Sequence, residues 1–93
     1  MTKLIDRVHQ DPETIDRLKQ LQQELDAALI VELHLQDGRI LNGTVVERPT
    51  VMQFVDHEGR EGSNGLLRLD TDDGHSHLLL LDEVARVVRL GSA

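Results

Sequence analysis

Residues 31–45 read Val31-Glu-Leu-His-Leu-Gln-Asp-Gly-Arg-Ile-Leu-Asn-Gly-Thr-Val45 and alternate between apolar and polar side chains around a central Asp-Gly pair. Alternation with a period of two is typical of a β-strand that has one apolar and one polar face. Asp37-Gly38 suits a two-residue hairpin turn, in which both central residues need a positive φ. We therefore predict two antiparallel strands, over residues 29–36 and 39–47.

The second of these strands is interrupted at two positions. Gly43 has no side chain and permits a sharp bend or a bulge. Pro49 cannot donate a backbone hydrogen bond, so a regular ladder does not continue through it. We predict that Thr50 to Asp56 is either a continuation of the strand after a kink or an edge strand.

A helix is predicted before these strands. Asp11 is a good N-cap, Pro12 fits the first helical position, and Glu13 favours the positive end of the helix dipole. Apolar residues then recur in steps of three and four, which predicts a helix from residue 12 to about 27. Its apolar stripe, which we expect to cover the open end of a small barrel, consists of Ile15, Leu18, Leu21, Leu25, Ala28 and Leu29. A further helical turn is predicted at Leu4, Ile5 and Val8.

The remaining segments predict one loop and three strands. Residues 57–65 contain three glycines and no apolar residue, which predicts a mobile loop. Leu66 to Thr71 and Ser76 to Leu81 are predicted to form a hairpin around Asp73-Gly74. Val84 to Leu90 is rich in β-branched residues and is predicted as the last strand.

The composition limits the functions of the chain. Ninety-three residues fit one domain. Ten basic and seventeen acidic residues give a net charge of −7, which repels phosphate backbones. Phe54 is the only aromatic residue, which removes the stacking platforms that proteins use for single-stranded nucleic acid. RNA is therefore a disfavoured partner.

Neither catalysis nor a membrane is indicated by the sequence. The absence of cysteine excludes a disulfide framework, a thiolate nucleophile and a sulfur-ligated zinc site. Apolar runs such as Leu78 to Leu81 are too short to cross a bilayer, and Met1 to Gln10 lacks an apolar targeting core. We therefore expect a soluble protein of the cytoplasm that is not an enzyme and uses no cofactor.

The quoted stretch, residues 31–45, resembles the first motif of Sm and Sm-like proteins, with its alternating apolar residues, its Asp-Gly turn and a glycine five positions later. The second Sm motif is echoed by residues 79–87, Leu-Leu-Leu-Asp-Glu-Val-Ala-Arg-Val. The chain is similar to a divergent Sm branch, such as the small families of proteobacteria. The resemblance implies a single domain over residues 1–93, with the helix in residues 1–28 and a small, strongly bent, five-stranded antiparallel barrel in residues 29–93.

The RNA site of the Sm family is not retained. In that family an Asp, a stacking residue and an Asn in one loop hold the base, together with an Arg-Gly pair of the second motif. Counting from Gly43 places Pro49, Val51 and Gln53 at the three loop positions, and the Arg-Gly pair falls on Leu80-Leu81. An alternative alignment that treats residues 56–63 as an insertion places Asn64 at the family's Asn position. The residues left as candidates for an RNA- or ligand-binding loop are Met52, Gln53 and Asn64.

One hairpin offers potential metal ligands. If Asp73-Gly74 is a two-residue turn, Asp72 faces His75 and Asp70 faces His77, so that all four side chains share one face. Two histidines and two carboxylates suit zinc or a similar ion. We favour the alternative, a polar hairpin tip exposed to water, because a shift of one residue in register separates these pairs.

The last strands carry more apolar surface than this small chain can cover. A strand that is apolar on both faces is normally covered on both, and the second cover is expected from another subunit. The resemblance implies the same arrangement, because Sm-like proteins pair their last two strands with neighbouring subunits. The candidate oligomer residues are Leu78, Leu79, Leu80, Leu81, Val84, Val87 and Val88.

These observations predict a non-catalytic Sm-like interaction module that associates with itself as a dimer or a ring. Another protein is a further candidate partner. Two alternatives stay open, an RNA-binding regulator of the Sm type and a metal-binding protein that uses the hairpin of residues 70–77.

Overall fold

The computed structural model describes residues 3–92, which form seven strands, one α-helix and one short 3₁₀ turn. In chain order these are β1 (Lys3–Leu4), α1 (Pro12–Glu24), β2 (Leu29–Leu35), β3 (Ile40–Val45), β4 (Val51–Val55), β5 (Glu61–Thr71), β6 (Ser76–Leu80), the 3₁₀ turn (Leu81–Glu83) and β7 (Val84–Ser92).

The helix α1 begins where the sequence predicts. The Asp11 carboxylate accepts a hydrogen bond from the Thr14 amide at 2.9 Å, and Pro12 lies in the first turn. The helix ends at Glu24, earlier than predicted, and Ala28 adopts a φ of +68° before the chain enters β2. The predicted apolar stripe is buried at Leu18, Leu21 and Leu25. Within residues 3–92, no helix is long and apolar enough to cross a membrane.

The seven strands form one open sheet. Its order is β1-β4-β5-β3-β2-β7, and β6 pairs with β5. The eleven-residue strand β5 pairs with β4 along its first half and with β3 and β6 along its second half. Val51–Val55 is a separate strand after Pro49, but it is not an edge, because β1 pairs with it in parallel.

The predicted five-stranded closed barrel is therefore wrong. Residues 39–47 and 50–56, for which the sequence leaves open one kinked strand or two, form the two separate strands β3 and β4, and β1 adds a strand where a helical turn was predicted. Within residues 3–92, β6 pairs with β5 and β7 pairs with β2, but these two strands do not pair with each other. The sheet is consequently left open along β6 and β7.

The hydrophobic core lies between α1 and the sheet. Residues of β2 alternate strictly between buried and half-buried, so one face of this strand packs inward. The core cluster comprises Leu18, Leu21, Leu25, Leu29, Val31, Leu33, Leu35, Val45, Leu67, Leu69, Leu79, Leu81 and Val84. The helix stripe is thus part of the core, as the sequence predicts.

Each of the three hairpins has a three-residue loop that ends in glycine. Gly38, Gly59 and Gly74 have φ values of +91°, +82° and +85°. The predicted two-residue turns are wrong, because Asp37 and Asp73 do not adopt a positive φ. The hydrogen bonds that close these two loops, Leu35 to Arg39 and Thr71 to His75, enclose three residues instead of two. A three-residue loop with a left-handed glycine in last position is a common alternative in hairpins.

This longer loop separates the four candidate metal ligands, Asp70, Asp72, His75 and His77, from the facing positions that a metal site would need. The Thr71 amide donates to the His75 carbonyl oxygen at 2.9 Å, and the register then pairs Asp70 with Ser76 and Leu69 with His77. Neither Asp70 and His77 nor Asp72 and His75 face each other across the hairpin, because the register is shifted by one residue. Among residues 3–92, no group of three or more His, Cys, Asp or Glu side chains could hold a metal ion.

The glycine-rich segment at residues 57–65 is mostly a buried strand rather than the predicted loop. Only residues 57–59 form a loop, and β5 begins at Glu61. Gly62, Ser63 and Asn64 are buried. A Cβ atom on Gly62 would lie 2.7 Å from the His9 carbonyl oxygen. Glycine is therefore needed at this position, where the segment around His9 packs against β5. The glycines at positions 62 and 65 are thus explained by close packing against neighbouring segments.

We predict that Gly43→Ala destabilises the protein. A Cβ atom at this position would lie 2.5 Å from the Asp70 carbonyl oxygen, so β3 and β5 would have to separate. The expected loss in the free energy of unfolding is about 1–3 kcal/mol, measured by urea denaturation. The matched control is Gly91→Ala, because an added Cβ there has no atom within 4 Å. Equal effects of the two substitutions would contradict this explanation.

Candidate functional site

The N-terminal residues 3–10, here called the strap, lie along β4 and β5. Ile5 is buried, and its amide donates to the Val55 carbonyl oxygen at 2.9 Å. His9 and Ser63 exchange two backbone hydrogen bonds, of 2.9 and 2.8 Å. The Gln10 side chain donates to the Glu61 carbonyl oxygen at 2.6 Å. The strap is therefore bound to the sheet at both of its ends.

A charged cluster joins the strap to the 3₁₀ turn. Nε of Arg7 donates to Oδ2 of Asp82 at 2.9 Å, and a terminal nitrogen of Arg7 donates to Oδ1 at 3.0 Å. Nε2 of His9 lies 2.8 Å from Oδ2 of the same carboxylate. This two-point geometry makes Arg–carboxylate pairs strong and directional. Both Asp82 oxygens are thus occupied by the strap.

The environment of Asp82 keeps its carboxyl group ionised. The side chain is 9% exposed, and this burial alone would favour the neutral form. The hydrogen bonds from Arg7 and His9 outweigh burial, so the pKa of Asp82 lies below its ordinary value of 3.8. The hydrogen bond to Asp82 likewise raises the pKa of the Arg7 guanidinium. Strap and turn are consequently joined by full charges at neutral pH.

Asn64 lies at the centre of this arrangement and is fully buried. Its Nδ2 donates to the Arg7 carbonyl oxygen at 2.9 Å. Its Oδ1 accepts from the amides of Gly65 at 2.9 Å and Asp82 at 3.3 Å. A buried amide must be satisfied in this way, because an unpaired polar group in the interior is costly. The side chain serves the fold and offers no surface to a ligand.

A cavity of about 380 Å³ opens beside the cluster, between α1 and the start of β7. Leu18, Leu21 and Val84 form its apolar part. Its polar lining mixes cations and acids, and consists of His9, Glu13, Thr14, Arg17, Gln36 and Asp82. Arg17 also donates to the Ala85 carbonyl oxygen at 2.7 Å. The lining carries no single charge that would select one class of ligand.

The predicted RNA or ligand loop is not a loop. Met52 pairs with Asn64 and Gln53 pairs with Ser63 across β4 and β5, so the structure does bring the three candidate residues together. Asn64 is buried, whereas Met52 and Gln53 are exposed and, as consecutive residues of β4, point to opposite faces of the sheet. The candidate residues therefore do not form one accessible binding loop.

The predicted oligomer residues divide into three groups. Leu79, Leu81 and Val84 belong to the core, so their apolar character needs no second subunit. Leu78 is 68% exposed, the largest value among the large hydrophobic residues within residues 3–92. The other members, Leu80, Val87 and Val88, are half-buried.

The sequence did not point to Arg7, His9 or Asp82. Arg7 and His9 lie more than seventy positions before Asp82 in the sequence. Charged residues of these types also occur throughout the chain, so these three do not stand out. Their only sequence signal is the small Gly-Ser-Asn-Gly run at residues 62–65, which marks where another segment crosses β5.

Residues 2–90 match a protein family described as a domain of unknown function, DUF3247. The chain belongs to this family. This DUF3247 protein is also similar to a solved structure, described as the crystal structure of XC5848 from Xanthomonas campestris, adopting a novel variant of the Sm-like motif. Sequence identity is 32%, the TM-score is 0.90, and the match covers 97% of this chain and 99% of the other. No curated protein matches the chain.

The similarity confirms the Sm-like fold that the two sequence motifs predict. The DUF3247 chain realises this fold with an open sheet and a strap that closes over β4 and β5. Sm-like architecture does not determine function, because one fold supports many kinds of site.

We predict that Asp82→Asn lowers the free energy of unfolding by about 1–3 kcal/mol at pH 7, because hydrogen bonds to a charged group are lost. Because the pKa of Asp82 is lower in the folded than in the unfolded protein, ionised Asp82 stabilises the fold at any pH above the ordinary value of 3.8. This stabilisation is lost as the pH falls through the lower pKa of the folded state. The difference between wild type and variant should therefore shrink in acid. Urea denaturation at neutral and acidic pH measures it.

The matched control for this prediction is Asp72→Asn, at an exposed position of the third hairpin loop. It should change stability by less than about 0.5 kcal/mol at either pH. A loss for Asp82→Asn that is as large in acid as at pH 7 would show that the carboxylate charge is not responsible.

Proposed function

We propose that this protein is a non-catalytic interaction module of Sm-like fold that associates with itself. The observation that carries the proposal is the open sheet, whose strands β6 and β7 each have one neighbour within residues 3–92. Unpaired strand edges expose amide and carbonyl groups that readily pair with another chain. A second copy is the simplest partner, because identical chains assemble with closed symmetry.

The free edge of β6 is suited to strand pairing. The Leu80 amide donates to the Glu83 carboxylate at 2.7 Å and is therefore not used by β5. Because residues of a strand alternate in direction, the backbone groups of Ser76 and Leu78 also face away from β5. This strand contains no proline and no Lys, Arg, Asp or Glu, which are the usual devices that protect an edge.

The edge of β7 supplies a second contact surface. One side of this strand pairs with β2, and Leu90 is 54% exposed. Pairing of β6 with β7 of the next copy builds a ring, whereas pairing of like edges builds a two-fold dimer. The ring and a dimer through β6 would both use the free backbone edge at Leu78 and leave its side chain on the face of the sheet.

The contacts of the potential acid–base groups support a non-catalytic role. His9 is bonded to Asp82 at 2.8 Å, His34 to Glu32 at 2.6 Å, and His57 to Asp6 at 2.9 Å. These pairs lie at separate places on the molecule. Within residues 3–92, none of these three histidines is hydrogen-bonded to a serine or threonine hydroxyl, the arrangement that activates such a hydroxyl as a nucleophile.

We predict that Leu78→Lys shifts the protein toward the monomer, because a charged side chain on an edge opposes strand pairing. Light scattering at several micromolar concentrations measures the mass. Leu78→Pro should have the same effect, because the Leu78 amide faces away from β5. Proline would therefore remove a hydrogen-bond donor from the free edge without breaking a bond to β5. The matched control, Thr44→Lys, adds the same charge at a half-buried residue of β3 that pairs with Ile30 on one side and Asp70 on the other, and it should leave the assembly intact.

A wild-type protein that is monomeric throughout this concentration range would refute self-association. An assembly that survives both Leu78 substitutions would locate the contact elsewhere. Circular dichroism of each variant confirms that the fold is retained.

We predict no tight RNA binding. The net charge of −7 repels phosphate, and Phe54, the only aromatic residue, is 1% exposed and cannot stack on a base. A gel-shift series with uridine-rich and adenosine-rich RNA at two salt concentrations tests this expectation. Tight binding that weakens with salt would instead favour an RNA-binding regulator.

A further inference from the structure

The outer face of the sheet carries an apolar hollow that is separate from the core. Along β5, Leu67 and Leu69 are core residues, so the alternate residues Leu66 and Arg68 face the other side. Phe54 of β4 is 1% exposed and yet is not part of the core cluster. A hollow of about 340 Å³, here called the outer groove, is lined on this side by Phe54, Leu66, Met52 and Leu78.

The apolar floor of the outer groove is accessible. Met52 is 52% exposed and Leu78 is 68% exposed, and both lie beside the buried ring of Phe54 in the same hollow. Such a group of apolar side chains in one concave place marks a contact surface more often than scattered exposed residues do. The hollow can accept one or two apolar side chains of a partner.

The rim of the outer groove is basic, although the molecule is acidic. Lys3, Arg48 and Arg68 line it together with one acidic residue, Glu47, whereas the chain as a whole has a net charge of −7. Arg48 forms an ion pair with Asp26, and Arg68 lies 3.9 Å from Asp70.

Both arginine pairs of the rim can exchange partners. The Arg48 side chain is 42% exposed and that of Arg68 is 57% exposed. Ion pairs at this exposure contribute little to stability. An incoming carboxylate can therefore take over these guanidinium groups at small cost, and Arg is well suited to bind it with two hydrogen bonds.

We propose that the outer groove binds an acidic peptide segment of another protein, with an apolar side chain in the hollow and flanking carboxylates on the basic rim. A short peptide carries few charges, so the overall charge of −7 opposes it much less than it opposes a polynucleotide. The buried ring of Phe54 offers apolar contact but no free face for a base. This proposal deepens the proposed interaction role, because it names the chemistry of a partner other than a second copy.

A fluorescent peptide in which Glu alternates with Leu is the probe, titrated with the full-length protein and followed by fluorescence polarisation. The control peptide has Lys in place of every Glu and the same leucines. We expect the acidic peptide to bind at least tenfold more tightly than the basic one and to weaken as salt is added. Equal affinity of the two peptides would overturn the role of the basic rim.

Three variants locate the contact. Arg68→Gln should weaken binding of the acidic peptide severalfold, because one rim charge is lost. Met52→Gln should weaken it severalfold through loss of apolar contact. The matched control is Arg39→Gln, which removes one positive charge from the first hairpin, where Arg39 contacts Asp37 at 2.7 Å. If Arg39→Gln weakened peptide binding as much as the rim substitution does, the peptide would be bound by general electrostatic attraction and not at the outer groove.

The result is independent of self-association. The rim and Met52 variants should keep the mass of the wild type in light scattering. Absence of peptide binding by an assembled wild-type protein overturns the groove proposal alone. Peptide binding by a monomeric wild-type protein supports the groove and refutes self-association. Displacement of the peptide by uridine-rich RNA, but not by an unlabelled acidic peptide, would assign the groove to nucleic acid and overturn the proposal.

Discussion

Close contact near the start of β5 is the constraint on which the other features depend. At Gly62 the strap passes so near that a Cβ atom would lie 2.7 Å from the His9 carbonyl oxygen. Next to it, the buried Asn64 amide donates to the strap and accepts from the 3₁₀ turn, so one side chain joins three segments that are distant in sequence. The 3₁₀ turn connects β6 to β7. Because Asn64 holds this turn through the Asp82 amide, it also fixes where β6 ends and β7 begins.

The distribution of polar contacts divides the molecule into a tightly bonded side and an accessible side. Strap, turn and β5 satisfy one another's charged and amide groups, as at Asp82, whose two oxygens accept from Arg7 and contact His9. Such groups are poor candidates for chemistry, because their partners would have to be displaced. Away from these contacts, apolar residues such as Met52 and Leu78 stay exposed. The features that suit interaction are thus found where internal bonding is weakest.

Prediction from the sequence succeeded where the signal was local and failed where register decided the outcome. The helix start at Asp11 follows from capping chemistry within four residues, and the structure has it at the predicted place. The metal cluster at Asp70 and His77 depended on one turn type, and a single added loop residue pairs Asp70 with Ser76 instead. The cluster of Arg7 and Asp82 could not be predicted, because nothing in either local sequence indicates that these distant segments meet.

The sequence by itself determined the helix, the strand-rich remainder and the Sm-like character, because periodicity, caps and turn residues act over a few positions. Only the tertiary structure decided which glycines form loops and which are buried, since Gly59 ends a turn whereas Gly62 lies beneath the strap. It also decided that the sheet stays open and that the apolar residues of β6 divide between core and surface. These properties depend on strand register and on contacts between remote segments, which no local pattern specifies.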